Sequence, residues 1–93
     1  MIIGLLNIEF HLPGASSLKD KRRVLRSLTV KLKARHNISL AEIAYQDKWQ
    51  RCQLAVAIVS NVTSLAHAQL ERVIKDIERE NELIIIDYSV EII

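Results

Sequence analysis

The first third of the chain carries a row of cations. Lys19, Arg22, Arg23, Arg26 and Lys33 fall within about 100° of arc on a helix turning 100° per residue. Successive cations along one helix face match a phosphate backbone, and each phosphate they neutralise releases counterions. The chemistry such a row suits is nucleic-acid contact. The segment from Lys19 to Arg35 holds eight of the 13 basic residues and one acid, Asp20, for a net charge of +7. Residues 63–93 hold three basic residues and seven acids, net −4. A solvated helix face usually mixes its signs, but here no acid at i,i+4 balances the row and its like charges repel. A plain solvated face and a contact for an acidic protein are the competing readings.

Lys21 stands apart, at the angle of the apolar residues of the same helix. Either its stem snorkels past the edge of the core, or its ammonium sits beside the Pro13–Ser17 loop. There, helix-start amides with Lys19, Lys21 and Arg22 would form a phosphate-binding corner. The candidate nucleic-acid residues are therefore Lys19, Lys21, Arg22, Arg23, Arg26 and Lys33. Trp49, the single tryptophan, lies in the polar stretch Gln46-Asp47-Lys48-Trp49. It reads as a cover over the end of the core or as a contact residue, with Lys48 and Arg51 allowing a base-stacking role.

Other groups carry less. Glu9, His11 and Asp87 have ligand types that suit a divalent ion, but a surface histidine at a strand end is the simpler reading, and no metal is expected. His36 at a helix end and His67 beside an apolar stripe read as structural. One cysteine, Cys52, leaves no disulfide framework and no Cys-rich zinc site; it reads as a small buried hydrophobe. With glycine only at positions 4 and 14, no phosphate-cradling loop can be written, and no cofactor is expected.

These residues need elements to position them. At 49% hydrophobic and 26% charged, the 93 residues suit one globular domain, 1–93, rather than disorder. Residues 2–12 read as a strand, with Ile2, Leu6, Ile8, Phe10 and Leu12 on its dry face and Gly4 between them. Ser17 with Asp20 reads as a helix start. The helix runs to about Arg35, burying Leu18, Val24, Leu25, Leu28 and Leu32, with Asn37 as a left-handed stop. Ile38–Tyr45 and Cys52–Ser60 read as strands, the latter apolar on both faces and hence central. Thr63 or Ser64 caps a second helix to about Glu80, with Ala66, Leu70, Val73, Ile74 and Ile77 inward. Leu83–Ile92 is the last strand, with Ile84, Ile86, Tyr88, Val90 and Ile92 on its dry side. This order predicts an α+β, ferredoxin-like βαββαβ fold: a four-stranded antiparallel sheet with two helices on one face.

The sheet's open face is the second place where a partner could act. Its central positions Leu5, Asn7, Glu9, Gln53, Ala55 and Ala57 include no aromatic, which argues against a base-stacking platform of the RNA-recognition type. Leu5, Ala55, Ala57, Val59 and Ile85 make it partly apolar and predict an oligomer interface, most simply a homodimer. No apolar run is long enough to span a bilayer. The short apolar start, Met1 to Leu6, has no basic flank and does not read as a signal peptide. Together with the lone cysteine this suggests a cytoplasmic protein without membrane partners.

Several motifs in order, Met1-Ile2-Ile3-Gly4-Leu5-Leu6, His11-Leu12-Pro13-Gly14, Ser17-Leu18-Lys19-Asp20-Lys21-Arg22, Gln46-Asp47-Lys48-Trp49-Gln50-Arg51 and Val59-Ser60-Asn61, resemble the YlxP-like family of small bacterial proteins. The resemblance spans essentially the whole chain. It implies a ferredoxin-like fold and, because such genes often sit beside those of translation and ribosome-maturation factors, an RNA or ribosomal-particle partner. It carries over no catalytic residue. Acylphosphatases share the fold class, but need a glycine-rich anion loop with an arginine after the first strand; this chain has His11-Leu12-Pro13-Gly14 there. The expectation is a non-enzymatic protein.

Overall fold

A computed structural model describes all 93 residues. Six elements follow in the order β1 (Ile2–His11), α1 (Leu18–Arg35), β2 (Ser39–Ala44), β3 (Arg51–Ser60), α2 (Thr63–Glu78) and β4 (Ile84–Ile92). The strands form one antiparallel sheet in the order β2-β3-β1-β4. This is the ferredoxin-like α+β fold, with β1 and β3 central. No helix is long and apolar enough to cross a membrane.

The central pair runs in unbroken register from Ile2↔Ser60 to His11↔Arg51. One face of the pair presents Leu6, Ile8, Phe10, Cys52, Leu54, Val56 and Ile58, all buried. Val24, Leu28 and Leu32 of α1 and Ala66, Leu70, Val73, Ile74 and Ile77 of α2 close over it. At Gly4 the core closes tightly on β1: a Cβ there would stand 3.1 Å from Leu70 Cδ1 of α2 and 3.0 Å from Ile58 Cγ1.

Both edge strands break step with the centre, one residue each. In β4 the pairing passes from Glu9↔Asp87 to Phe10↔Ile85, so Ile86 is an extra residue; in β2 it passes from Glu42↔Leu54 to Ala44↔Gln53, so Ile43 is extra. Such β-bulges shift every later side chain to the other face. The sequence reading of β4 holds for Val90 and Ile92, opposite Leu6 and Gly4; Tyr88 shares their face, opposite Ile8, but is exposed rather than dry, and beyond the bulge the reading fails. Ile85 lies opposite Phe10 and packs against the core. It is therefore not part of the open face. Ile84 and Ile86, expected dry, are 58% and 56% exposed.

The helix ends are built unequally. At α1, Ser17 Oγ accepts from Asp20 N at 3.0 Å, and the Asp20 carboxylate accepts from Ser16 N and Oγ at 3.1 and 2.6 Å. Those bonds, chiefly the Ser16 hydroxyl, hold Asp20 below the usual carboxylate range. α1 stops without a left-handed residue at Asn37: His36, at the C-cap, is extended, and Tyr45 (φ 64°) is the one non-glycine residue with positive φ. α2 is capped by neither Thr63 nor Ser64. The position before it is Val62, whose side chain accepts nothing, and no acid stands in its first turn. Val62→Asp supplies both a cap acceptor and a charge suited to the helix dipole, and should stabilise the fold by about 0.5–2 kcal/mol in urea unfolding at pH 7.

Candidate nucleic-acid interface

The cations of α1 separate into three groups. Arg23, Lys31 and Arg35 turn toward acids of the α2 end and the stretch after it. Arg23 Nη2 lies 3.0 Å from Glu82 Oε1, Lys31 Nζ 3.2 Å from Glu80 Oε2, and Arg35 Nη1 3.3 Å from Asp76 Oδ1. His36 Nε2 joins Asp76 Oδ2 at 2.7 Å. That contact first, then the Arg35 charge, holds the Asp76 carboxyl below its ordinary range. The Asp76 contribution to stability is therefore present above the ordinary carboxylate pKa of about 3.9 and is lost as pH falls through the lower folded-state value.

Lys21 forms the second group alone. It is 1% exposed, with Nζ 2.8 Å from Glu42 Oε2 and donating to the Tyr45 carbonyl at 2.6 Å. Glu42 lies opposite Leu54, which turns its side chain to the helix side of the sheet. Its Oε2 sits at ion-pair distance but off the axis of a hydrogen bond, with no other donor. Lys21 is thus withdrawn from any surface row and from the Pro13–Ser17 corner: its ammonium points inward to β2. Burial, and then the neighbouring Glu42 charge, push the Cys52 thiol far above its ordinary range, which leaves it without nucleophilic character.

The third group is Lys19, Arg22, Arg26 and Lys33. All are exposed and none has an ion-pair partner. They span 15 residues of helix, about 21 Å, within about 60° of arc. Beside them a shallow depression of ≈ 410 Å³ is lined by Arg23, Arg26, Ser27, Val30 and Lys31, with Val30 64% exposed.

The open sheet face divides in two. Toward one end lie Leu5, Ala55, Ala57 and Val59, the last 68% exposed. Toward the other it is polar: Gln53 Nε2 donates to Asn7 Oδ1 at 2.7 Å, and Arg51 Nε to Glu9 Oε2 at 2.7 Å. That ion pair takes Glu9 out of the grouping with His11 and Asp87, and no three His, Cys, Asp or Glu side chains converge as metal ligands.

Sequence reasoning missed a hollow of ≈ 620 Å³ at this polar end, walled by Tyr45, Trp49, Arg51 and Ile86. Gln50 Nε2 donates to the Pro13 and Ala15 carbonyls at 3.3 and 3.1 Å, fastening the β2–β3 connection to the β1–α1 loop. Trp49, beside that fastening, is 51% exposed. It is only half a cover. Two signals pointed here, the lone tryptophan between cations and the three isoleucines at 84–86, but the bulge that brings Ile86 round leaves no mark in hydrophobic alternation.

A family model described as "Protein of unknown function (DUF503)" matches residues 3–90. The chain belongs to this family. It is 35% identical over 82 residues to "Uncharacterized protein YlxP" of Bacillus subtilis (strain 168), covering 88% of this chain and 89% of that protein. The DUF503 chain is thus YlxP-like over nearly its whole length, as the motifs implied.

The buried lysine makes a sharp test of the interior. Lys21→Met leaves the Glu42 carboxylate without its counter-charge and the Tyr45 carbonyl with Lys48 N as its remaining donor, and should cost about 1–3 kcal/mol. Lys21→Met with Glu42→Leu removes the stranded charge and should recover much of that loss. Urea unfolding of the two variants beside the parent chain measures both.

Proposed function

We propose that this DUF503 protein is a non-enzymatic RNA-associated protein that holds RNA, free or within a ribosomal particle, along the outer row of α1. The observation that carries the reading is the sorting of charge. Acids of the α2 end neutralise one flank of α1, yet Lys19, Arg22, Arg26 and Lys33 remain unpaired in a single line. Cations placed for helix stability would be met by acids at i,i+4; these are not. RNA is favoured over DNA by the translation setting that the family resemblance implies.

If four phosphates are neutralised, the logarithm of affinity should fall with the logarithm of salt at a slope of about −3 for a single strand. Arg22→Glu with Arg26→Glu should abolish binding to RNA and co-sedimentation with ribosomal subunits, with the melting temperature little changed, because both side chains are exposed. A salt-independent interaction, or full binding by the double variant, would exclude the α1 row.

A second reading rests on Val59. At 68% exposure beside Leu5, Ala55 and Ala57, it heads an apolar strip flat enough to meet a copy of itself about a two-fold axis. Ile85, expected in this strip, is not available to it. A homodimer through this face predicts that Ala57→Arg converts the assembly to monomer in light scattering at high micromolar concentration while secondary structure persists. A parent chain that is already monomeric there rules the dimer out.

A further inference from the structure

The geometry points to a nucleotide-binding site in the hollow between Tyr45, Trp49, Arg51 and Ile86, with the base stacked on Trp49 and the phosphate held by Lys48 and Arg51. At ≈ 620 Å³ the hollow has the size of small-molecule sites, about 300–1,000 Å³. It opens on the sheet face opposite the helices, so it stands independently of the α1 row.

Its chemistry is specific. Trp49 leaves half its surface uncovered at the wall of the hollow, and an exposed indole face is a sequence-tolerant platform for a base. Ile86, brought round by the β4 bulge, supplies an apolar wall. Arg51 is already oriented: its guanidinium lies 4.1 Å from the centre of the Tyr45 ring, and its Nε is bound by Glu9 at 2.7 Å. Both terminal nitrogens remain to donate to a phosphate in the forked geometry guanidinium favours. Lys48 adds an unpaired ammonium at the rim. The one acid in the lining, Glu9, is neutralised by Arg51, so the hollow presents net positive charge with His11 beside it. An aromatic face with a fixed guanidinium and a free ammonium complements a ring carrying a phosphate; a plain hydrocarbon would strand these donors, and a bare anion would leave the indole idle.

Trp49 is the single tryptophan, so its emission reports directly on stacking. The full chain is titrated with adenosine monophosphate, with inorganic phosphate and with a hexa-adenylate RNA, calorimetry running in parallel. Saturable quenching by the mononucleotide is expected, with inorganic phosphate at least about tenfold weaker, a difference of about 1.4 kcal/mol. Quenching by the hexanucleotide alone assigns the site to a nucleotide within a strand; equal or tighter binding of the mononucleotide assigns it to a free one. In either case, with the hexanucleotide measured on a chain that already carries Arg22→Glu and Arg26→Glu, Lys48→Glu, a surface change, should weaken binding about tenfold or more, and Trp49→Ala should remove it in calorimetry while Trp49→Phe retains it. Arg22→Glu with Arg26→Glu should leave mononucleotide quenching intact, which separates this site from the α1 row. The inference is overturned if neither nucleotide binds, if inorganic phosphate binds as tightly as the mononucleotide, or if Lys48→Glu and Trp49→Ala bind like the parent.

Discussion

The buried ammonium of Lys21 is the constraint on which the rest of the molecule's polar end depends. An unpaired charge in a core of this size would be intolerable, so the chain must bring acceptors to it. Glu42 does so because β2 pairs with β3 in the register that turns position 42 inward, and the Tyr45 carbonyl does so at 2.6 Å because Tyr45 adopts φ 64°. A left-handed tyrosine is an uncommon conformation. Here it turns the chain out of β2, aims its carbonyl at Lys21 and leaves its ring under Arg51. One internal contact thus ties α1 to β2 and sets the start of the loop that carries Lys48 and Trp49.

The two bulges act at the same level of the sheet. Ile43 is inserted in β2 beside the Gln53–Leu54 step, and Ile86 in β4 beside the Glu9–Phe10 step, and Gln53 and Glu9 are themselves cross-strand partners. An extra residue on each edge at one row increases local twist on both sides. Beyond that row both edges change face relative to the centre, so one end of the open face becomes a hollow while the other stays flat.

The same bulges mark where the sequence ceased to be legible. The element order, both inner helix stripes and the central strands are readable because strong alternation or 3.6-residue periodicity runs through each. Ile84-Ile85-Ile86 carries no alternation, so nothing in it distinguishes a straight strand from one that slips by a residue, and simple alternation places Ile85 on the wrong face. The α1 row was legible because a helix wheel needs only local spacing. Its partners were not: Glu82, Glu80 and Asp76 reach α1 from more than 40 residues away, and Lys21 finds Glu42 across the sheet edge. The aligned apolar angle of Lys21 did signal burial, but a wheel cannot show which acid receives it.

Charge sorting then argues for how the two faces divide their work. On the sheet side, Glu9, Asp87 and Glu91 lie on or beside the open face, opposite one another or beside apolar neighbours. A polyanion approaching there meets like charge except at the hollow, where Arg51 cancels Glu9 and Lys48 stands free. On the helix side the acids Glu82, Glu80 and Asp76 are drawn to one flank by Arg23, Lys31 and Arg35, which leaves the outer row of α1 without ion-pair partners. Screening at physiological salt cuts the field of that row off over about 8 Å. The field of the row therefore does not reach through the sheet to the hollow. The two proposed sites, a strand along α1 and a nucleotide beside Trp49, would consequently be separate electrostatic events on one small domain.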